Sequence, residues 1–121
     1  MKSRTAILVG LALLMLSAMN MPAQFTSATL TGVVSDPSGA VVPQAKVKLV
    51  NEKSGDTRET VTNSDGYYTF AGMAVGDLTY KLTVEAKGFV TYDAPGILLL
   101  GGEKRNVNVT LKVGILRKPS R

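Results

Sequence analysis

The chain has 121 residues, enough for one domain around one hydrophobic core, with 45% hydrophobic residues and no compositional sign of wholesale disorder. Its net charge of +5 does not mark a nucleic-acid surface: Lys2 and Arg4 lie at one terminus and Arg117, Lys118 and Arg121 at the other, leaving nine basic residues against nine acidic ones between Asp36 and Glu103. The sequence has no His and no Cys. That removes the usual general base near neutral pH, the thiol nucleophile, the common zinc ligands, any disulfide framework and any lipid carried on a cysteine.

Lys2 and Arg4, the apolar run Ala6 to Met19 and the small-residue stretch that follows read as a secretory signal peptide over residues 1–23, with cleavage after Ala23 or after Ala28. The run has 14 residues. A membrane-spanning helix needs about 20, so no stable transmembrane anchor is expected after cleavage. The expected destination is export, to the periplasm, the outer membrane or the outside of a bacterial cell.

From residue 24 onward the pattern is short strands with turn punctuation. Ala28 to Asp36 alternates Leu30, Gly32 and Val34 onto one face, and Pro37, Gly39 and Pro43 then exclude helix or central strand. Ala45, Val47 and Leu49 face one way and Lys46 and Lys48 the other, which predicts a half-buried strand. Asp56 to Thr62 is polar and threonine-rich and is predicted at a sheet edge. Asn63, Ser64, Asp65 and Gly66 are turn formers leading into Tyr67 to Phe70, where alternation sends Tyr68 and Phe70 to the core and leaves Tyr67 exposed. Tyr80, Leu82, Val84 and Ala86 point inward on the next strand. The strand from Gly88 to Leu100 is expected to break at Pro95 and Gly96. One last strand places Val107, Val109, Leu111 and Val113 on one face. Seven such strands predict an all-β fold, an antiparallel seven-stranded β-sandwich over residues 24–114, followed by a disordered basic tail over 115–121.

The order of these parts resembles the carboxypeptidase regulatory-like domain. The resemblance rests on Gly32 to Asp36, the segment GAVVPQAKV, SDGYYTF, AKGF at Ala86 to Phe89, and the terminal VNVTLKVG, and it covers roughly Ala28 to Gly114. It implies a transthyretin-like (prealbumin-like) sandwich, classed with carbohydrate-binding-like folds, and it implies no protease and no cofactor. In bacteria such domains are similar to the N-terminal module of TonB-dependent receptors, here expected without plug or barrel. The segment VGDLTY is longer than the family's usual turn, and a protruding loop is expected there.

Asp36, Asp65, Asp77 and Asp93 sit at turns or on solvated faces, so no catalytic residues are expected. Asn63 to Gly66 lacks the downstream glutamate of a calcium loop, and no metal site is expected either. Binding candidates are the exposed Tyr67 with Asn63 and Asp65, and separately Tyr92 with Asp93, because sugar recognition pairs exposed rings with nearby hydrogen-bonding groups. The expected role is a nonenzymatic interaction or accessory module at the cell envelope, with a cell-envelope protein as partner. Carbohydrate binding through Tyr67 and the Asn63 to Gly66 turn is the alternative.

Overall fold

A computed structural model describes residues 26–114; the expected signal peptide and the basic tail lie outside the described residues. Eight strands are present, β1 (Ser27–Ser35), β2 (Lys46–Asn51), β3 (Thr57–Val61), β4 (Tyr67–Ala74), β5 (Tyr80–Glu85), β6 (Tyr92–Ile97), β7 (Lys104–Asn106) and β8 (Val109–Thr110), with no helix among the described residues. They form two four-stranded sheets. In the first the order is β4-β1-β7, with β8 also paired to β1, and in the second it is β3-β2-β5-β6. This is the β-sandwich that the alternating sequence predicts.

The two-residue period sorts side chains as expected. Leu30, Leu49, Leu82, Val34, Val47 and Val84 are fully buried between the sheets, and each such side chain contributes about 1.5–3 kcal/mol relative to its exposed state. Tyr68 and Phe70 join them, with ring centroids 6.1 Å apart at 62°, an edge-to-face pair. Thr57 to Val61 is an edge strand, paired only with β2.

Four expectations are corrected in detail. The last strand is two, and both β7 and β8 run parallel to β1, so the sandwich is not wholly antiparallel. The split has an identifiable cause: the Val107 carbonyl turns inward to accept a hydrogen bond from the Tyr68 hydroxyl at 2.6 Å, and the Asn108 side chain takes its place in the ladder, accepting from Val33 N at 3.0 Å. Val113 is exposed at 64%, because it lies past the sheet against Phe89. The chain does not leave the strand at Pro95 and Gly96: β6 runs through both, absorbing them in a register irregularity at a sheet edge, where a missing N–H breaks no internal ladder. The loop of VGDLTY does not simply protrude, since Val75 and Leu78 pack against the core.

The two lateral openings of the sandwich are closed differently. Where β3 and β4 meet, Arg58 Nη1 reaches across to donate to the Ala71 carbonyl at 2.7 Å, with Met73 Sδ at 2.9 Å. On the other side the segment after β8 joins the sheets: Leu111 N donates to Ser35 O, and Val90 N donates to Lys112 O, both at 2.8 Å.

Two carboxylates hold loops and set an acid limit to stability. Asp36 Oδ1 accepts from the Ser38 hydroxyl at 2.7 Å and from the Ser38 and Ala40 amides at 2.9 and 3.0 Å. The Ser38 hydroxyl, foremost, holds this carboxyl below its ordinary value of 3.8. Glu103 is likewise held below its ordinary 4.5, first by the Leu100 amide and then by Arg105. A depressed carboxylate stabilises the fold above its unfolded value, and that contribution is lost as pH falls through the folded one. Stability, followed by urea midpoints, is therefore expected to be level above pH 4.5 and to decline from there downward. Asp36→Asn, which keeps the Oδ1 acceptor but cannot titrate, is expected to flatten part of that decline.

Candidate functional site

The turn at Asn63 to Gly66 is built by one side chain. Asn63 Oδ1 accepts from the Asp65 amide at 2.9 Å and the Tyr67 amide at 3.0 Å, while Gly66 N donates back to the Asn63 carbonyl. Gly66 adopts φ 72°, and a Cβ there would stand 2.7 Å from Val34 O, so glycine is required on two counts. The Asn63 oxygen that the sequence offered to a ligand is thus taken up by the hairpin, and Asp65 is an exposed turn residue.

Tyr67 follows that turn directly as the first residue of β4, with its side chain on the outer face of the β4-β1-β7 sheet, 36% exposed. Its cross-strand neighbour is Val33, and the next row along the sheet is Thr69, Thr31 and Asn106 on three adjacent strands. Thr31 is only 4% exposed despite facing outward, and its hydroxyl donates to Tyr68 O at 3.0 Å. The Thr31 hydroxyl beside the Tyr67 phenol draws its titration below the ordinary 10.0, with smaller contributions from Thr69 and the charge of Lys104, against partial desolvation.

Tyr92 and Asp93 do not form a unit. Tyr92 opposes Val84 and packs inward against the core, close enough to the Tyr68 phenol to add to the upward push that burial gives it. Asp93 opposes Thr83 on the outer face and accepts its hydroxyl at 2.8 Å. Neighbours on a strand point to opposite sides, which separates the pair. The groove at this edge, about 260 Å³, is lined by Val90, Thr91, Tyr92, Asp93, Thr110 and Lys112. Thr110 and Lys112 were not legible as its members, because only the parallel pairing of β8 brings them there.

The two outer faces differ in chemistry. On the β3-β2-β5-β6 sheet the outward rows carry Lys46, Lys48 and Lys81 with Glu59, Glu85 and Asp93, including the Lys48–Glu59 pair at 3.9 Å. On the β4-β1-β7 sheet the corresponding rows carry Tyr67, Val33, Thr69, Thr31, Asn106 and Thr29, and a single charge, Lys104. Lys104 makes no ion pair among the described residues. No cluster of three potential metal ligands exists among the described residues.

The model of the carboxypeptidase regulatory-like domain family matches residues 29–112. No curated protein sequence matches the chain. Among solved structures, a variant of Acinetobacter radioresistens catechol 1,2-dioxygenase aligns with a TM-score of 0.62 at 15% identity, covering 79% of this chain and 55% of that one. Catechol 1,2-dioxygenase from Pseudomonas arvilla C-1 aligns at 0.61 and 11% identity, covering 83% and 56%. A type II cohesin–X-dockerin complex from Acetivibrio cellulolyticus aligns at 0.56 and 18%, covering 72% and 58%. The chain thus spans little more than half of each, and at these identities the likeness is one of fold.

Proposed function

The chain belongs to the carboxypeptidase regulatory-like domain family, and from that membership we propose that it works without catalysis, as an exported interaction or accessory module of the bacterial cell envelope, similar to the N-terminal domain of TonB-dependent receptors. The observation that carries this reading is the use made of the acidic side chains. Asp36 and Glu103 hold loops, Glu52 accepts from the Thr79 hydroxyl and the Gly96 amide at 2.9 and 2.8 Å, and Asp93 is engaged by Thr83. These four carboxylates are dispersed over the fold and are bonded within it, to backbone amides or to threonine and serine hydroxyls, rather than converging on one site.

Expression of the full-length chain in a Gram-negative host, with fractionation and intact mass, tests the reading. The expected product is in the periplasm or envelope and lighter by its N-terminal segment. A cut after Ala23 leaves β1 whole, whereas a cut after Ala28 removes Ser27 and the buried Ala28 from it. Full-length protein confined to the cytoplasm, or hydrolysis of peptide or glycoside substrates above a buffer blank, overturns it.

Carbohydrate binding is the second reading, favoured by one observation: Tyr67 is an exposed ring on a face whose neighbouring side chains include threonine hydroxyls and the Asn106 amide.

A further inference from the structure

We propose that the outer face of the β4-β1-β7 sheet is a docking surface for an acidic, uronate-bearing polysaccharide, with Tyr67 as the stacking ring, Thr69 and Asn106 as hydrogen-bonding partners and Lys104 as the partner of a carboxylate. The proposal rests on the carbohydrate reading and replaces its Asn63 to Gly66 turn by this face.

Three features of the surface converge on that ligand. The first is the kind of polar group present: beside Val33 and Lys104 the outward side chains are threonine hydroxyls, the Tyr67 phenol and the Asn106 amide, which both donate and accept and match sugar hydroxyls. The second is the extent of the surface. From the row of Thr29 and Lys104 to the row of Val33 and Tyr67 is four residues of strand, about 13 Å, room for about two sugar rings laid along the strands. The third is charge. This face carries one ammonium with no ion-pair partner among the described residues and no carboxylate in its rows, so an acidic ligand is attracted at one end and meets no like charge within them. The opposite face, with three lysines alternating with three acids, is already internally compensated.

Tyr67 is prepared for the role by its own neighbours. Tyr67 stands on the strand beside Val33, with Thr69, Thr31 and Asn106 in the next row, and 36% of its surface is open to solvent. An aromatic ring on two rotatable bonds loses little conformational freedom on binding, and this one stands on a rigid strand rather than on a loop.

Affinity electrophoresis of the full-length chain tests the assignment, in gels containing polygalacturonate, its methyl ester, or a neutral glucan. Polygalacturonate is expected to retard the protein. Tyr67→Ala is expected to weaken retardation at least about tenfold, and Lys104→Gln by about two- to fivefold, with that difference vanishing at high salt. Lys48→Gln, on the opposite face, is expected to change nothing, and thermal unfolding of each variant checks that the fold is intact. Equal retardation of Tyr67→Ala overturns the proposal. Loss in Tyr92→Ala with Tyr67→Ala unaffected also overturns it, moving the sugar to the β6–β8 groove and leaving the carbohydrate reading standing. Retardation by the neutral glucan or the ester alone removes the acidic class. No retardation by any of the three ends both readings. A concentration-dependent dimer that Tyr67→Ala dissolves assigns the face to a second copy of the chain and overturns the proposal as well.

Discussion

Gly32→Ala is expected to destabilise the domain by about 3 kcal/mol or more, at the upper end of what overpacking a core costs. The position is not one of unusual backbone conformation. It is one of missing space: a methyl group on Gly32 would overlap the Val107 carbonyl oxygen and stand 2.7 Å from the Val107 carbon and 2.8 Å from Tyr68 Cε2. Two of those three atoms belong to backbone, which cannot swing aside as the end of a side chain does. Relief requires β7 and β8 to move away from β1, breaking the Val107 N to Thr31 O bond at 2.8 Å and the Asn108 bridge to Val33. At roughly 4 °C per kcal/mol for a domain of this size, the drop in Tm is about 12 °C or more. Circular dichroism of the thermal transition reads it directly, and a drop below about 4 °C, equivalent to about 1 kcal/mol, contradicts the close approach of Val107 to β1.

The second large effect is at Tyr68, and two substitutions divide it. Tyr68→Phe leaves the ring and its edge-to-face contact with Phe70 but deprives the Val107 carbonyl of its hydroxyl donor; an unsatisfied, partly buried acceptor costs about 1–3 kcal/mol. Tyr68→Ala removes the ring as well and is expected to cost about 3–5 kcal/mol. The phenol also has a signature in pH. Burial pushes its titration well above the ordinary 10.0, so its contribution is complete below pH 10 and is lost as pH rises beyond that. The wild-type chain is expected to lose stability steeply above pH 10, and Tyr68→Phe to lose it less steeply, with Tyr80, also raised by burial, supplying part of the remainder. Urea midpoints between pH 8 and 11 measure both slopes. Parallel slopes contradict the buried setting of Tyr68.

The faces of the strands were legible in the sequence because a period of two is a local property. Ala45, Val47 and Leu49 against Lys46 and Lys48, and Tyr68 and Phe70 against Tyr67, require nothing beyond alternation. The break between β7 and β8 was not legible, because its cause is a carbonyl captured by a hydroxyl 39 residues earlier over a glycine on a third strand. The parallel pairing of β7 and β8 with β1 was hidden for the same reason: only the three-dimensional path of the loop from Leu98 to Glu103 decides on which side of β1 the chain returns. At the candidate site, the exposure of Tyr67 was readable, whereas its companions Thr31, Thr69, Asn106 and Lys104 depend on register between strands far apart in sequence. Tyr92 and Asp93 line one groove, yet alternation turns their side chains to opposite sides of β6, so they do not act as a ring with an adjacent hydrogen-bonding partner.

The parallel return of β7 and β8 along β1 also determines how the domain would bear tension. Because the strands run the same way, Thr26 enters at one pole and Gly114 leaves at the other, and opposed pulls on these two points slide β1 against β7 and β8 lengthwise. The bonds Thr29 N to Glu103 O, Val107 N to Thr31 O, Val33 N to Asn108 Oδ1 and Leu111 N to Ser35 O are then loaded together in shear, whereas pulling apart a hairpin would peel them one by one. Forced unfolding is governed by the rate of that concerted step. As a link in a longer tether the domain would yield late, and the Gly32–Val107 crossing would be its latch.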